Sequence, residues 1–171
     1  MMLNKESIYK LENIEDIKRF IIGGNAIMTL ESKKTGRWFT YKIKKSNKED
    51  DKSPYFVSVL TGNDNETAYT YMGTIFSNDK LSFNLTKKSK ISDDALSYKA
   101  FNFFFNLLLN NKLHDDIEIY HRDICSVCGK KLTTPESLKS GMGPFCRGTM
   151  NVSIKDVRKK KIQKINQKLV K

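Results

Sequence analysis

All three cysteines of the chain fall between residues 125 and 146, in the arrangement Cys125-x2-Cys128-x17-Cys146. Cys-x2-Cys followed by Gly129 is the outline of a zinc knuckle. The tight turn lets two thiolates reach one ion, and the glycine lets backbone N–H groups point back at sulfur. An odd cysteine count argues against a disulfide framework. His121, one of only two histidines, stands four residues upstream of Cys125, as His121-x3-Cys125. With it, four N/S ligands would fill the tetrahedral shell of Zn²⁺, and a closed shell has no place for water, so the expected metal is structural. His121 is the expected fourth ligand, with His114 and Asp123 as alternatives.

The residues between the second and third cysteines have their own mechanics. Thr134 followed by Pro135 at a first helical position predicts a short helix that Gly141 ends. Gly141-Met142-Gly143-Pro144 then makes a tight connection that delivers Cys146, near the first turn of the next segment, where backbone dipoles favour a thiolate.

The stretch Cys125-x2-Cys128-Gly129-x2-Leu132-Thr133-x-Pro135-Glu136-Ser137-x3-Gly141-x-Gly143-Pro144-x-Cys146 resembles a motif of a family of uncharacterised bacteriophage and prophage proteins. The segments Gly24-Asn25-Ala26, Lys34-Thr35-Gly36, Phe39-Thr40-Tyr41 and Val57-Ser58-Val59-Leu60-Thr61-Gly62 are similar to the N-terminal half of those proteins. The resemblance spans most of residues 20–147. It implies a small zinc-containing phage protein, with ligands carried onto Cys125, Cys128, Cys146 and His121, and it implies no activity. Lys130 or Lys131 stands where an arginine is expected near the knuckle, which leaves the metal site untouched.

Upstream, Asn13 is placed to cap a helix over residues 14–22, with Ile14, Ile17 and Ile21 on one stripe and Gly23-Gly24 as the stop. From Asn25 the apolar period changes to two. Segments 26–31, 37–44, 55–60, 69–76 and 81–86 read as an antiparallel meander. In the second of these, Phe39, Tyr41 and Ile43 share one face, while Trp38, Thr40 and Lys42 share the other. The second face pairs an aromatic with a cation, which suits base stacking on a sheet, although aromatics in strands more often pack against neighbours. Ser92-Asp93-Asp94 predicts a helix over residues 93–109, apolar around most of its circumference and therefore core. A strand over residues 117–120 leads into the cysteine segment.

The predicted fold is α+β: an antiparallel β-meander with packed helices, a C-terminal zinc knuckle and a basic helical tail. The expected organisation is a sheet domain over residues 1–116, a zinc module over 117–150 and the tail over 151–171.

Charge is distributed unevenly. Residues 1–123 carry 19 Lys+Arg against 17 Asp+Glu, whereas residues 124–171 carry 12 against 2. Of the net charge of +12, +10 thus lies at the C-terminal end, the electrostatic footprint of polyanion contact. Lys130, Lys131, Lys139, Arg147, Arg158, Lys159, Lys160 and Lys161 are the expected phosphate-contacting residues. Ile154, Val157, Ile162, Ile165 and Leu169 form the apolar stripe of the tail helix. That stripe lacks the aromatics that anchor helices at a membrane surface.

The expected function is that of a non-enzymatic zinc protein contacting DNA or RNA through this module. The alternative is an inhibitor or adaptor that binds a host protein complex. No nucleophile elbow, phosphate-cradling glycine loop or His-Glu-x-x-His pattern is present. His121-Arg122-Asp123 lies too close to Cys125 for a zinc-deaminase site. Asp50-Asp51, Asp93-Asp94 and Asp115-Asp116 read as turns and helix starts rather than as nuclease carboxylates. No small-molecule substrate is indicated. With no apolar leader before Glu6 and no apolar run long enough to span a bilayer, the expected location is the cytoplasm, a host's if the chain is phage-encoded.

Overall fold

A computed structural model describes residues 9–47, 49–77 and 80–149. The tail helix, with Arg158, Lys159, Lys160 and Lys161, lies outside the described residues.

The period-two segments become β2 (Asn25–Ser32), β3 (Trp38–Lys45), β4 (Tyr55–Leu60), β5 (Tyr69–Ser77) and β6 (Leu81–Asn84). Each pairs antiparallel with the next in sequence. Two further strands, β1 (Tyr9–Lys10) and β7 (Ile117–His121), extend the sheet beyond β2 and give the order β1-β7-β2-β3-β4-β5-β6. The strand grouped with the zinc module by sequence thus lies inside the sheet, with Met28 opposite His121 and Ser32 opposite Ile117. The two-residue β1 is too short for its alternation to be read from the sequence.

Helix α1 (Ile14–Ile21) starts where Asn13 accepts hydrogen bonds from the N–H groups of Glu15 and Asp16. Its acids sit in the first turn and its bases in the last, as the helix dipole favours. It buries Ile17, Phe20 and Ile21. Helix α2 (Leu96–Leu109) begins three residues later than Ser92-Asp93-Asp94 predicts. Ser92 Oγ accepts from Asp94 N, and Ala95 N donates to Ser92 O, so the cap is spent on a separate turn. The first helical bond runs from Lys99 N to Ala95 O. Phe101, Phe104, Phe105 and Leu108 of α2 are buried. The Phe101 ring lies 5.0 Å from Tyr41 and 4.8 Å from Phe83. Each such phenyl ring removed from water contributes about 2–3 kcal/mol.

Tyr41, Ile43, Val57, Val59, Ile75 and Phe83 form the helix-covered face; on the opposite, open face Lys44, Phe56 and Phe76 are exposed, while the small Thr29, Thr40 and Thr74 between larger neighbours are buried. Among the described residues no helix is long and apolar enough to cross a membrane.

Candidate metal centre

The knuckle grows directly out of β7. Ile124 and Lys131 form an isolated antiparallel bridge, with Cys125 N donating to Lys130 O at 2.8 Å and Leu132 N to Asp123 O at 2.7 Å. Gly129, at φ 76°, turns the chain back in a conformation that a side chain would strain. Helix α3 (Pro135–Ser140) follows as predicted, capped by Thr134 with Pro135 in its first turn. It ends at Gly141, whose φ of 73° is the left-handed helix stop. A second small core, of Cys125, Leu132 and Met142, packs beneath the turn and includes the partly buried Val127, Leu138 and Cys146.

These elements bring the three sulfurs together. The Sγ atoms of Cys125, Cys128 and Cys146 all lie within 4.8 Å of one another. An ion with Zn–S bonds of about 2.3 Å in tetrahedral geometry sets its sulfurs about 3.8 Å apart, so the trio is within grasp of one metal. Cys125 is fully buried, Cys128 exposed and Cys146 intermediate.

Their acidities fit the same purpose. Burial opposes ionisation of Cys125, but the N–H groups of Cys128, Gly143 and Val127 directed at its sulfur outweigh burial and hold the thiol below its ordinary value. The Gly143 N–H lies 3.5 Å from that sulfur. Cys146 moves the other way. Burial, then its hydrogen bond with Cys128 and the charge on Cys125, push it up to about 12. Stripping the last proton from three crowded thiols costs free energy unless a cation compensates, and a divalent ion supplies that charge. The three cysteines could therefore hold a metal ion.

His121 does not join them, which corrects the sequence expectation. Its ring is buried in the main core at 1% exposure, stacked on Tyr9 at 5.7 Å and tilted against Phe20 at 6.0 Å. Nδ1 accepts from the Asp123 N–H at 3.0 Å, so the ring proton sits on Nε2 and donates to Leu138 O at 2.6 Å. Neither nitrogen is free for a metal. Instead the imidazole fastens α3 to β7. The alternatives fare no better: His114 sits before β7 against Phe103, and neither it nor Asp123 belongs to the sulfur cluster.

The cationic residues divide similarly. Lys130, Lys131 and Lys139 are exposed on the knuckle. Arg147 is spoken for, with Nη2 3.1 Å from Asp16 Oδ1 and Nη1 3.6 Å from Glu136. Its guanidinium thus ties the chain after Cys146 to α1 and α3.

Sequence reasoning missed what anchors the knuckle to the sheet. Asn25 donates from its backbone N–H to Ser126 O and from its side chain to Val127 O, each at 2.7 Å. Asp16 was equally hidden. An acid in a first helical turn reads as a dipole partner, and only the fold brings Arg147 to it.

A family of unknown function, DUF6011, matches residues 118–151, a stretch that takes in the three cysteines and α3. No curated protein matches the chain, and no solved structure does.

Proposed function

We propose that this chain is a structural-zinc protein that contacts nucleic acid through the surface of its knuckle and the basic segment that follows, without catalysing a reaction. Zinc suits a knuckle with three sulfurs because thiolates favour soft and borderline ions, and a d¹⁰ ion accepts tetrahedral geometry without redox chemistry. Cys125, Cys128 and Cys146 would hold it. The fourth position would go to a donor other than His121. When bound, the metal ties the turn at Gly129 to the chain beyond Gly143 and so fixes the exposed lysines in space.

The observation that carries this reading is the clustering of three sulfurs in a loop whose outer surface presents Lys130, Lys131 and Lys139. The net charge of +10 over residues 124–171 supports a polyanionic partner, since each phosphate neutralised releases condensed counterions. The likeness of the Cys125–Cys146 stretch to phage and prophage proteins supports a phage-encoded chain acting in a bacterial cytoplasm.

The test is a salt titration of binding by the full-length, metal-loaded protein to labelled DNA and RNA. The expected result is an affinity that falls steeply with salt, with a shallower slope once Lys130, Lys131 and Lys139 are neutralised together. Absence of binding at low salt would refute the reading and favour an adaptor that docks on a protein complex.

A further inference from the structure

The open face of the sheet carries a second set of features that the knuckle does not explain. Antiparallel register lines up one cross-strand row: Asn84 opposite Thr74, Thr74 opposite Phe56, Phe56 opposite Lys44, and Lys44 opposite Asn25. Asn25, at the end of that row, is the residue that binds the knuckle through Ser126 O and Val127 O. The row is therefore a continuous path across the sheet into the metal-bearing module.

Phe56 is 44% exposed, although phenyl rings favour burial. Its edge-on contact with Tyr71, ring centroids 6.1 Å apart and planes at 82°, braces the ring. Phe76, also exposed, occupies the diagonal position beyond Thr74, within reach of an adjoining planar group. Beside Phe56 on the row stands Lys44, exposed and with no ion pair among the described residues. Lys42, two residues along on the same face, lies over the Tyr69 ring.

The acids on the strands of this face lie at its other end. Glu31 and Glu118 are paired with each other in register six residues along β2 from Asn25, about 20 Å away at strand spacing. Glu118 is further engaged by Lys10 and Lys33. The turn before β4, at the Asn25 end, carries Glu49, Asp50 and Asp51, of which Asp50 accepts hydrogen bonds from Lys52 N and Ser53 Oγ. Among the strand residues, the knuckle end of the face presents Phe56 beside Lys44, and the far end, where Trp38 stands opposite Glu31, is aromatic and acidic.

We propose that the open sheet face around Phe56 binds single-stranded nucleic acid, with bases stacked on Phe56 and Phe76 and the backbone running over Lys44 toward Lys130 and Lys131. The proposal rests on the nucleic-acid reading above and specifies its substrate class. Stacking needs a base whose flat surface is free, which a single strand offers and a paired duplex hides. Charge complementarity selects the occupant, since an apolar protein surface would find an uncompensated Lys44 at the centre of the contact.

Trp38 provides an internal control, being as exposed as Phe56 at 45% but at the acidic end. The experiment measures anisotropy of a labelled oligothymidylate of about twenty nucleotides, and of a duplex of equal length, on full-length metal-loaded protein. Phe56→Ala is expected to weaken single-strand binding roughly five- to one-hundred-fold, and Trp38→Ala to leave it unchanged. Phe56→Leu retains the apolar bulk without the ring. It should bind as poorly as the alanine variant while melting like wild type, which separates lost stacking from lost folding. Phe56→Trp should restore binding.

If Lys130→Glu with Lys131→Glu abolishes binding while Phe56→Ala and Phe56→Leu bind normally, the sheet-face inference is overturned and the knuckle reading stands. Equal affinity for duplex and single strand, insensitive to Phe56, also overturns it. No binding of either probe by wild type overturns both, leaving a protein as the occupant of this face.

Discussion

Arg147, one residue beyond Cys146, reaches back to Asp16 in the first turn of α1, with Nη2 3.1 Å from Oδ1. Arg19 holds the same oxygen at 3.0 Å. The Asp16 side chain is only 8% exposed, so its charge depends on both arginines. The contact joins the chain after Cys146 to the helix between β1 and β2, and it closes the knuckle against the body of the fold.

Removing one partner of a nearly buried pair leaves the other charge poorly compensated. Arg147→Ala should cost about 1–3 kcal/mol, less than for a fully buried pair because the guanidinium keeps some solvent. Asp16→Asn should cost a similar amount, and the double variant less than the sum. Chemical denaturation of the four proteins in a double-mutant cycle measures the coupling. Additive losses would show the pair to be idle.

The same pairing separates Arg147 from its cationic neighbours in binding. Each exposed lysine that contacts a phosphate contributes about 0.7–0.9 to the slope of log affinity against log salt. Neutralising Lys130 or Lys131 should flatten that slope, whereas Arg147→Gln should leave it unchanged and lower stability instead.

The left-handed stop at Gly141 sits against α1. A Cβ built there would lie 2.5 Å from the Phe20 ring. Gly141→Ala therefore meets a conformational cost of about 1–2 kcal/mol together with a steric clash. The expected result is a destabilisation of several kcal/mol with weakened metal retention, read by thermal denaturation and by metal loss to a competing chelator.

His121 gives the fold a pH dependence of definite sign. Burial first, against the opposing effects of Leu138 O and the Asp123 charge, holds its pKa below the ordinary 6.5. The unfolded chain thus takes up a proton that the folded protein refuses. Stability should be level above pH 6.5, fall as pH drops below it, and level off again once the folded imidazole is protonated. His121→Gln should remove this component, measured as the wild-type-minus-variant difference in unfolding free energy between pH 7.5 and 5.5. Acid sensitivity of the thiolates is common to both proteins and cancels. An unchanged difference across that window would contradict the buried neutral ring.

Much of the sheet is legible in the sequence because each meander strand carries its own alternation. Phe39, Tyr41 and Ile43 against Trp38, Thr40 and Lys42 suffices to assign a face before any neighbour is known. The knuckle is legible for a related reason, since Cys125, Cys128 and Gly129 act over a few bonds. What fails to show is long-range. The start of α2 is misplaced because Ser92 has two local uses for its oxygens and only the fold selects one. His121 reads as a ligand from its distance in sequence, yet β7 pairing turns its ring into the core, toward Tyr9 and Phe20. The Asn25 tie to the knuckle likewise joins residues about a hundred positions apart, beyond the reach of any local pattern.

The central claim is that three sulfurs, without His121, hold one metal ion. Native mass spectrometry of the purified chain and its variants under zinc-buffered conditions tests it most directly. One zinc per chain is expected in wild type and in His121→Gln, with loss of stoichiometric metal in Cys125→Ser, Cys128→Ser and Cys146→Ser. Metal-free wild type, or loss of zinc in His121→Gln while a cysteine variant keeps it, would contradict the account.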